Sequence, residues 1–230
     1  MKNLTLSTLL ILITAGIWAQ DKTYNLNNFS HLDASSSVEI ELIQSTSNKA
    51  EVEILRGDPD DFRLKESGNN LNIYWKDQSG YNWNNNRKAK VTLYYTSLEE
   101  IEVSAGAKVH GDDVIKGDKF TADADSGGSL EIVIEVEELI SEVNSGGRLE
   151  IEGTTNTLDV DANSGGAFRG KNLKATHVKA HANSGGSAKV WATNSIKASA
   201  NSGGNVSYKG DPTKTDIKTD KWSGGSVSKN

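Results

Sequence analysis

Three carboxylates stand at one recurring offset. Counted back from a serine that recurs through the second half of the chain, Asp123, Glu142 and Asp161 each lie three positions before it, with Asp125 and Asp159 nearby. Carboxylates stacked on neighbouring strands could chelate Ca²⁺, or serve as acid and base on a polysaccharide. Opposed like charges on adjacent strands are mildly unfavourable, so stability does not account for the column. The plainer reading is a solvated face of an acidic segment. Five positions before the serine stand Lys179, Lys197 and Lys218. They could engage an anionic glycan or lipopolysaccharide, or simply keep a strand face from edge aggregation. Tyr74, Trp75, Tyr81 and Trp83 surround an Asn-rich stretch. Aromatics beside amides suit sugar stacking and hydrogen bonding. The competing reading is hydrophobic cover for one end of the fold. His177 and His181 are four apart on a strand, about 13 Å by strand rise, too far to share a metal ion. Ser226 and Lys229 match S-x-x-K only formally, at the chain's end. No G-x-S-x-G, Walker A or zinc-type histidine pattern occurs, so no catalytic residue and no cofactor is assigned.

The elements that must position these columns follow from the serine itself. It belongs to a tetrapeptide, Asn-Ser-Gly-Gly, with relatives beginning at Asp125 and Trp222. The six serines are Ser126, Ser145, Ser164, Ser184, Ser202 and Ser223, at steps of 18 to 21 residues. A period near 20 signals a repeat architecture. Even offsets from the serine are apolar or small: Phe120, Leu139, Leu158, Val178 and Ile196 six before; Leu130, Leu149, Phe168, Ala188 and Val206 four after. Odd offsets are mostly polar. Each repeat therefore reads as two strands with inward even positions, joined at a Ser-Gly-Gly corner. Stacked copies bury a continuous core that no single copy can bury. The expected fold is all-β, a right-handed parallel β-helix with coils of about 18–21 residues. Gly-Gly supplies positive φ and leaves room where corners crowd. The serine is read as an inward corner residue bonding nearby backbone, and the Asn column as a coil-to-coil ladder. All six serines are structural corner residues on this reading, not nucleophiles.

Before the repeats, Val38, Ile40 and Leu42 alternate with glutamates, as do Val52 and Ile54. This is the mark of half-buried strands. Arg56-Gly57-Asp58-Pro59 is turn chemistry. Residues 20–103 thus form an N-terminal β region of longer irregular strands, continuous with the repeat solenoid of 104–230. Ser104-Ala105-Gly106-Ala107 reads as a degenerate first corner. Residues 1–19 read as a signal peptide: Lys2, then an apolar run from Leu4 to Trp18, then Ala19. The expected destination is outside the cytoplasm, whether periplasm, cell surface or medium. No later apolar stretch is long enough to span a membrane.

The chain has 230 residues, no cysteine and a net charge of −6. Disulfides and thiol chemistry are excluded. The charge is uneven. Residues 101–170 carry five basic and fifteen acidic side chains, whereas residues 171–230 carry ten lysines and three aspartates. A linear fold would have an acidic middle and a basic end. Without a basic aromatic module, nucleic acid is not an expected partner.

The order of several short motifs resembles the auto-transporter adhesin head GIN domain family of secreted or envelope Bacteroidetes proteins. The motifs are Phe29-Ser30-His31-Leu32, Ser37-Val38-Glu39-Ile40, Leu71-Asn72-Ile73, Val91-Thr92-Leu93, Leu98-Glu99-Glu100-Ile101, Ser104-Ala105-Gly106-Ala107 and the Ser-Gly-Gly coils. The resemblance implies a β-helical fold and adhesion or surface binding, and brings no catalytic residues with it. The expected function is a non-enzymatic exported module binding a glycan or an envelope or cell-surface component. The alternatives are a polysaccharide lyase or hydrolase on the same scaffold, and a structural envelope component.

Overall fold

In a computed structural model, residues 22–76 and 87–230 are described. Residues 1–21, which hold the expected signal peptide, and the aromatic pair Tyr81 and Trp83 lie outside the described residues. The strands are β1 (Lys22–Asn25), β2 (His31–Ser35), β3 (Val38–Gln44), β4 (Lys49–Arg56), β5 (Phe62–Ser67), β6 (Asn70–Trp75), β7 (Lys88–Tyr95), β8 (Glu100–Ser104), β9 (Lys108–Ala124), β10 (Ser129–Val143), β11 (Arg148–Ala162), β12 (Ala167–Ala182), β13 (Ser187–Ala200), β14 (Asn205–Lys209), β15 (Lys214–Thr219) and β16 (Ser226–Lys229). Two single 3₁₀ turns, Pro59–Asp61 and Lys221–Ser223, are the helical pieces among the described residues.

The architecture is the expected parallel β-solenoid, of about seven turns. Strands β9 to β13 stack in chain order, each parallel to the next. Two faces run along the stack. One follows β5-β6-β2-β8 and then the later halves of β9 to β13, ending on β15. The other follows β1-β4-β7-β3 and then the earlier halves, ending on β14 and β16. The N-terminal region joins both faces. Its pairs β1/β4, β4/β7 and β5/β6 are antiparallel.

Two expectations about strand length are corrected. The repeat strands are the long ones, 14 to 17 residues, while β4 and β7 reach only eight. A repeat is also not two separate strands. Its backbone stays extended through bends, where register slips between Ile132 and Val133, between Glu150 and Gly153, and between Arg169 and Lys174. Extra residues such as Asp112 and Asp113 are absorbed there, which is how coils differ in length without disturbing the corner.

One hydrophobic cluster runs from Phe29 to Val206. Phe120, Leu139, Leu158, Val178 and Ile196 form one continuous inner ladder. Ala124, Val143, Ala162, Ala182 and Ala200 form another beside the corner. Small side chains stand there because the chain turns tightly next to them.

That turn has a defined geometry. Ser145 has φ 48° and Gly146 φ 75°, and the Gly147 N–H donates to the Asn144 carbonyl at 2.7 Å. Two successive positive φ values make a type I′ turn. The same angles recur at Ser126, Ser164, Ser184 and Ser202, and at Ala105 with Gly106, so the degenerate first corner is a true one. The serines, however, point out to solvent rather than inward, because the tip of the turn projects from the stack. The corners stack chiefly through backbone. Asn144 N donates to Ala124 O at 2.9 Å, and Gly185 N to Ser202 O at 3.1 Å. The Asn144 side chain instead bonds Glu142 of its own coil at 2.7 Å.

The last corner departs from this form. Asp220 takes the Asn position, with its N–H on Ala200 O, and Gly225 N reaches back to Asp220 O. Two extra residues, Lys221 and Trp222, are thereby inserted, and Ser223 sits in a 3₁₀ turn without the left-handed angle. Counting from Ser223 therefore misplaces the preceding strand by two residues. Ile217 pairs with Ala198, not with Ile196.

Candidate functional site

The acidic column is real and longer than the serine count shows. On the outer side of the first face, Asp123 pairs in register with Glu142, and Glu142 with Asp161. In the other direction Asp123 pairs with Glu102, Glu102 with Asp33, and Asp33 with Asn72. Five carboxylates thus stand on successive rungs about 4.8 Å apart. Asp33 and Glu102 obey the same rule, three residues before the left-handed Ser36 and Ala105. The offset reaches Glu102 once Ser104-Ala105-Gly106-Ala107 is taken as a corner; Asp33 is reached only if Ser36, outside any Ser-Gly-Gly, is counted as one too. Beyond Asp161 the row continues with His181 and Ser199, and the His181 ring bonds the Ser199 hydroxyl at 2.7 Å.

The central carboxylates are electrostatically crowded. Partial burial pushes the Asp123 carboxyl up to about 6, and the charges of Glu142, Glu100 and Glu102 push the same way. The N–H of Glu142, donated to Asp123 Oδ1 at 3.0 Å, opposes the shift without cancelling it. Glu102 is raised by burial and then by Asp33, Glu100 and Asp125; Asp33 is raised by burial. Asp125 behaves oppositely. Hydrogen bonds from the Ser145 hydroxyl and from Ser126 hold it below the usual carboxylate range. The side chains form a row and do not converge: among the described residues, no three acidic, His or Cys groups close on one metal position.

At its N-terminal end the row opens into a polar depression of about 510 Å³. Asp33, Asn70, Asn72, Lys65 and Tyr74 line it, with Ser35 and Ser67. The β5–β6 hairpin and β2 place these groups side by side, since Lys65 pairs with Asn72 and Asn72 with Asp33. His31 anchors the rim by donating to Asn70 Oδ1 at 2.9 Å. An aromatic ring, two amides, a carboxylate and an ammonium in one shallow concavity can stack on a sugar and bond its hydroxyls. A second depression, about 520 Å³, lies on the other face among Glu39, Glu41, Glu51, Glu53, Lys90 and His110. There Glu51 is bound by Lys49 at 2.8 Å and Glu39 by Lys88 at 3.1 Å.

Two groups of expected ligand contacts are rearranged. Tyr74 lines the depression, but Trp75 is only 2% exposed. Alternation along β6 sends it inward, edge-on to Phe62 at 5.5 Å, with its indole N–H on the Ser37 carbonyl at 3.4 Å. It is core, not a sugar platform. The lysine column breaks too. Lys179 and Lys197 are register partners, but Lys179 is bound by Asp159 at 2.8 Å. Lys218 pairs with Ser199 because the last corner is two residues longer, and Asp216 takes the place opposite Lys197.

Fold and face together define a class: an all-β solenoid that carries polar rows and shallow polar depressions on its outer faces. Within that class the chain belongs to the family described as "Putative auto-transporter adhesin, head GIN domain", whose model matches residues 28–212. No curated protein matches the chain. Among solved structures it is similar to a "putative adhesin" from Bacteroides fragilis, at 24% identity and TM-score 0.77, covering 91% of this chain and 95% of that one. A "putative lipid binding protein" from Parabacteroides distasonis matches at 19% identity and TM-score 0.67, over 92% and 96%. A "putative adhesin" from Parabacteroides merdae matches at 16% identity and TM-score 0.61, over 92% and 95%. At these identities the likeness shows the shared fold. No described helix is long and apolar enough to cross a membrane.

Proposed function

We propose that the protein is an exported, non-enzymatic binding module of the cell envelope that holds a glycan in the depression beside Tyr74. The observation that carries this reading is the depression's chemistry: Tyr74 beside Asn70, Asn72, Asp33 and Lys65. Membership in an adhesin-described family and the apolar N-terminal run support export and surface binding. The test is a glycan array at physiological salt with the wild-type chain and a Tyr74→Ala, Asn72→Ala variant. Retention of one glycan class by the wild type and its loss in the variant supports the reading. Silence of the wild-type chain across the array, or equal retention by the variant, sinks it.

A second reading rests on one observation. The Asp123 carboxyl, at about 6, lies where a general acid works at neutral pH. Neighbouring rungs would give a carboxylate spacing near that of retaining glycosidases, roughly 5 Å. If the wild-type chain cleaves any member of a broad polysaccharide panel, and Asp123→Asn with Asp161→Asn abolishes the cleavage, the module is an enzyme.

A further inference from the structure

We propose that the corner of the last coil, led by Trp222, docks on an anionic lipid surface. The site lies at the opposite end of the solenoid from the Tyr74 depression and is independent of the glycan reading.

The argument begins with the insertion. The five Asn- or Asp-led corners from Asp125 to Asn201 close in four residues. The last one takes Lys221 and Trp222 in addition, between Asp220 and Ser223. The inserted indole is 101% exposed, a large apolar side chain with no contact to the core. Its backbone is nonetheless fixed, since Trp222 N donates to the Asp220 carboxylate at 3.0 Å. Ile217, at an inward position on the same coil, is 40% exposed because no further described coil covers it. An indole held on a tight turn matches the chemistry of the membrane–water interface, where tryptophan is enriched.

Charge selects the kind of surface. Coils stack in chain order, so the uneven sequence charge becomes a gradient along the axis. Residues 171–230 carry ten lysines and three aspartates. Some of these lysines are engaged. Lys179 binds Asp159, Lys229 binds Asp211 at 2.7 Å, and Lys209 sits over the Trp191 ring at 4.0 Å. Lys197, Lys214 and Lys218 form no ion pair among the described residues; they share the outer side of β13 and β15 with one carboxylate, Asp216, so three lysines against one aspartate lead into the Trp222 corner. Each lysine near an anionic bilayer contributes about 1 kcal/mol. A second copy meeting this end through the same surface would oppose lysine to lysine.

The test is co-sedimentation of the chain from Gln20 onward with vesicles of phosphatidylcholine alone, and with about 30 mol% phosphatidylglycerol. Binding is expected only to the anionic vesicles. Trp222→Ser should weaken partitioning about tenfold at all salt concentrations. Lys214→Gln with Lys218→Gln should weaken it roughly thirtyfold at low salt, from about 1 kcal/mol per lysine, and less at high salt. All these positions are solvent-exposed, so unchanged thermal midpoints will show that the variants fold. Equal binding to both vesicle types, no binding to either, or undiminished binding by Trp222→Ser would overturn the proposal. So would concentration-dependent self-association that Trp222→Ser abolishes, because the corner would then be a contact between copies.

Discussion

Gly147 passes so close to Ala124 of the preceding coil that a β-carbon on it would stand 2.3 Å from the Ala124 carbonyl oxygen. Its neighbour Gly146 has open space around it but a φ of 75°. Two adjacent glycines are therefore required for different reasons, one by stacking and one by backbone angle. Gly146→Ala should cost about 1–2 kcal/mol, the ordinary penalty of a left-handed alanine. Gly147→Ala forces two coils apart and should cost well over 3 kcal/mol. Thermal unfolding separates the two: a midpoint drop of a few degrees against one of roughly 10 °C or more. Equal drops would refute the division of roles.

The carboxylate row predicts an unusual pH dependence. Asp123 is raised from 3.8 to about 6 in the folded chain, so folding favours its protonated form. Its contribution to stability is full below pH 3.8 and is lost as pH rises through about 6. At pH 7 the charge is a net cost, and Asp33 and Glu102 shift in the same direction. Asp123→Asn keeps an acceptor for the Glu142 N–H and removes the charge. It should stabilise the protein at pH 7 by about 1 kcal/mol after solvent screening, and give no gain at pH 4. Denaturant titrations at the two pH values check this, and a gain at pH 4 equal to that at pH 7 would contradict it.

Tyr74 and Trp75 are neighbours in sequence and opposites in role. Trp75→Ala removes a buried ring packed on Phe62 and should cost about 3–5 kcal/mol. Tyr74→Ala should shift the thermal midpoint by no more than about 2 °C, since its ring lies on the outer side of β6. A large stability loss at Tyr74 would make it a structural residue and remove the basis for a sugar-stacking role.

Much of the fold was legible because the repeat writes each coil in the same phase. The inner ladders from Phe120 to Ile196 and from Ala124 to Ala200 follow from offsets alone, as does the acidic column at Asp123, Glu142 and Asp161. What failed, failed where phase is broken by local geometry. Asp33 is hidden because Ser36 is not followed by Gly-Gly and so carries no corner signature, and Glu102 because a count from the recurring serine skips a corner that holds Ala105. Lys218 was misplaced because Lys221 and Trp222 lengthen the last corner, which a fixed serine reference cannot detect. Composition leaves Trp75 open between a sugar contact and hydrophobic cover, whereas its alternation with Leu71 and Ile73 places it inside. The serines' outward direction was not legible at all. It depends on two successive left-handed residues, an arrangement that a period-2 pattern does not encode.

Ser141 offers the cleanest test of the inner ladder. It stands between Ala122 and Val160, continuing to Ala180 and Ala198, so every other rung of that ladder is apolar. Its residue is 2% exposed, and its hydroxyl has no hydrogen-bond partner among the described residues. Burying an unpaired hydroxyl costs about 1–3 kcal/mol, whereas exchanging it for hydrogen leaves a gap smaller than a methylene. Ser141→Ala should therefore stabilise the chain by about 1 kcal/mol, a rise of roughly 2–4 °C in thermal midpoint for a chain of this size. Ser141→Val, matching Val160 on the next rung, adds volume beside Ala122 and should gain less. A fall in midpoint on Ser141→Ala would mean that the hydroxyl is satisfied in solution, by a water held between the coils.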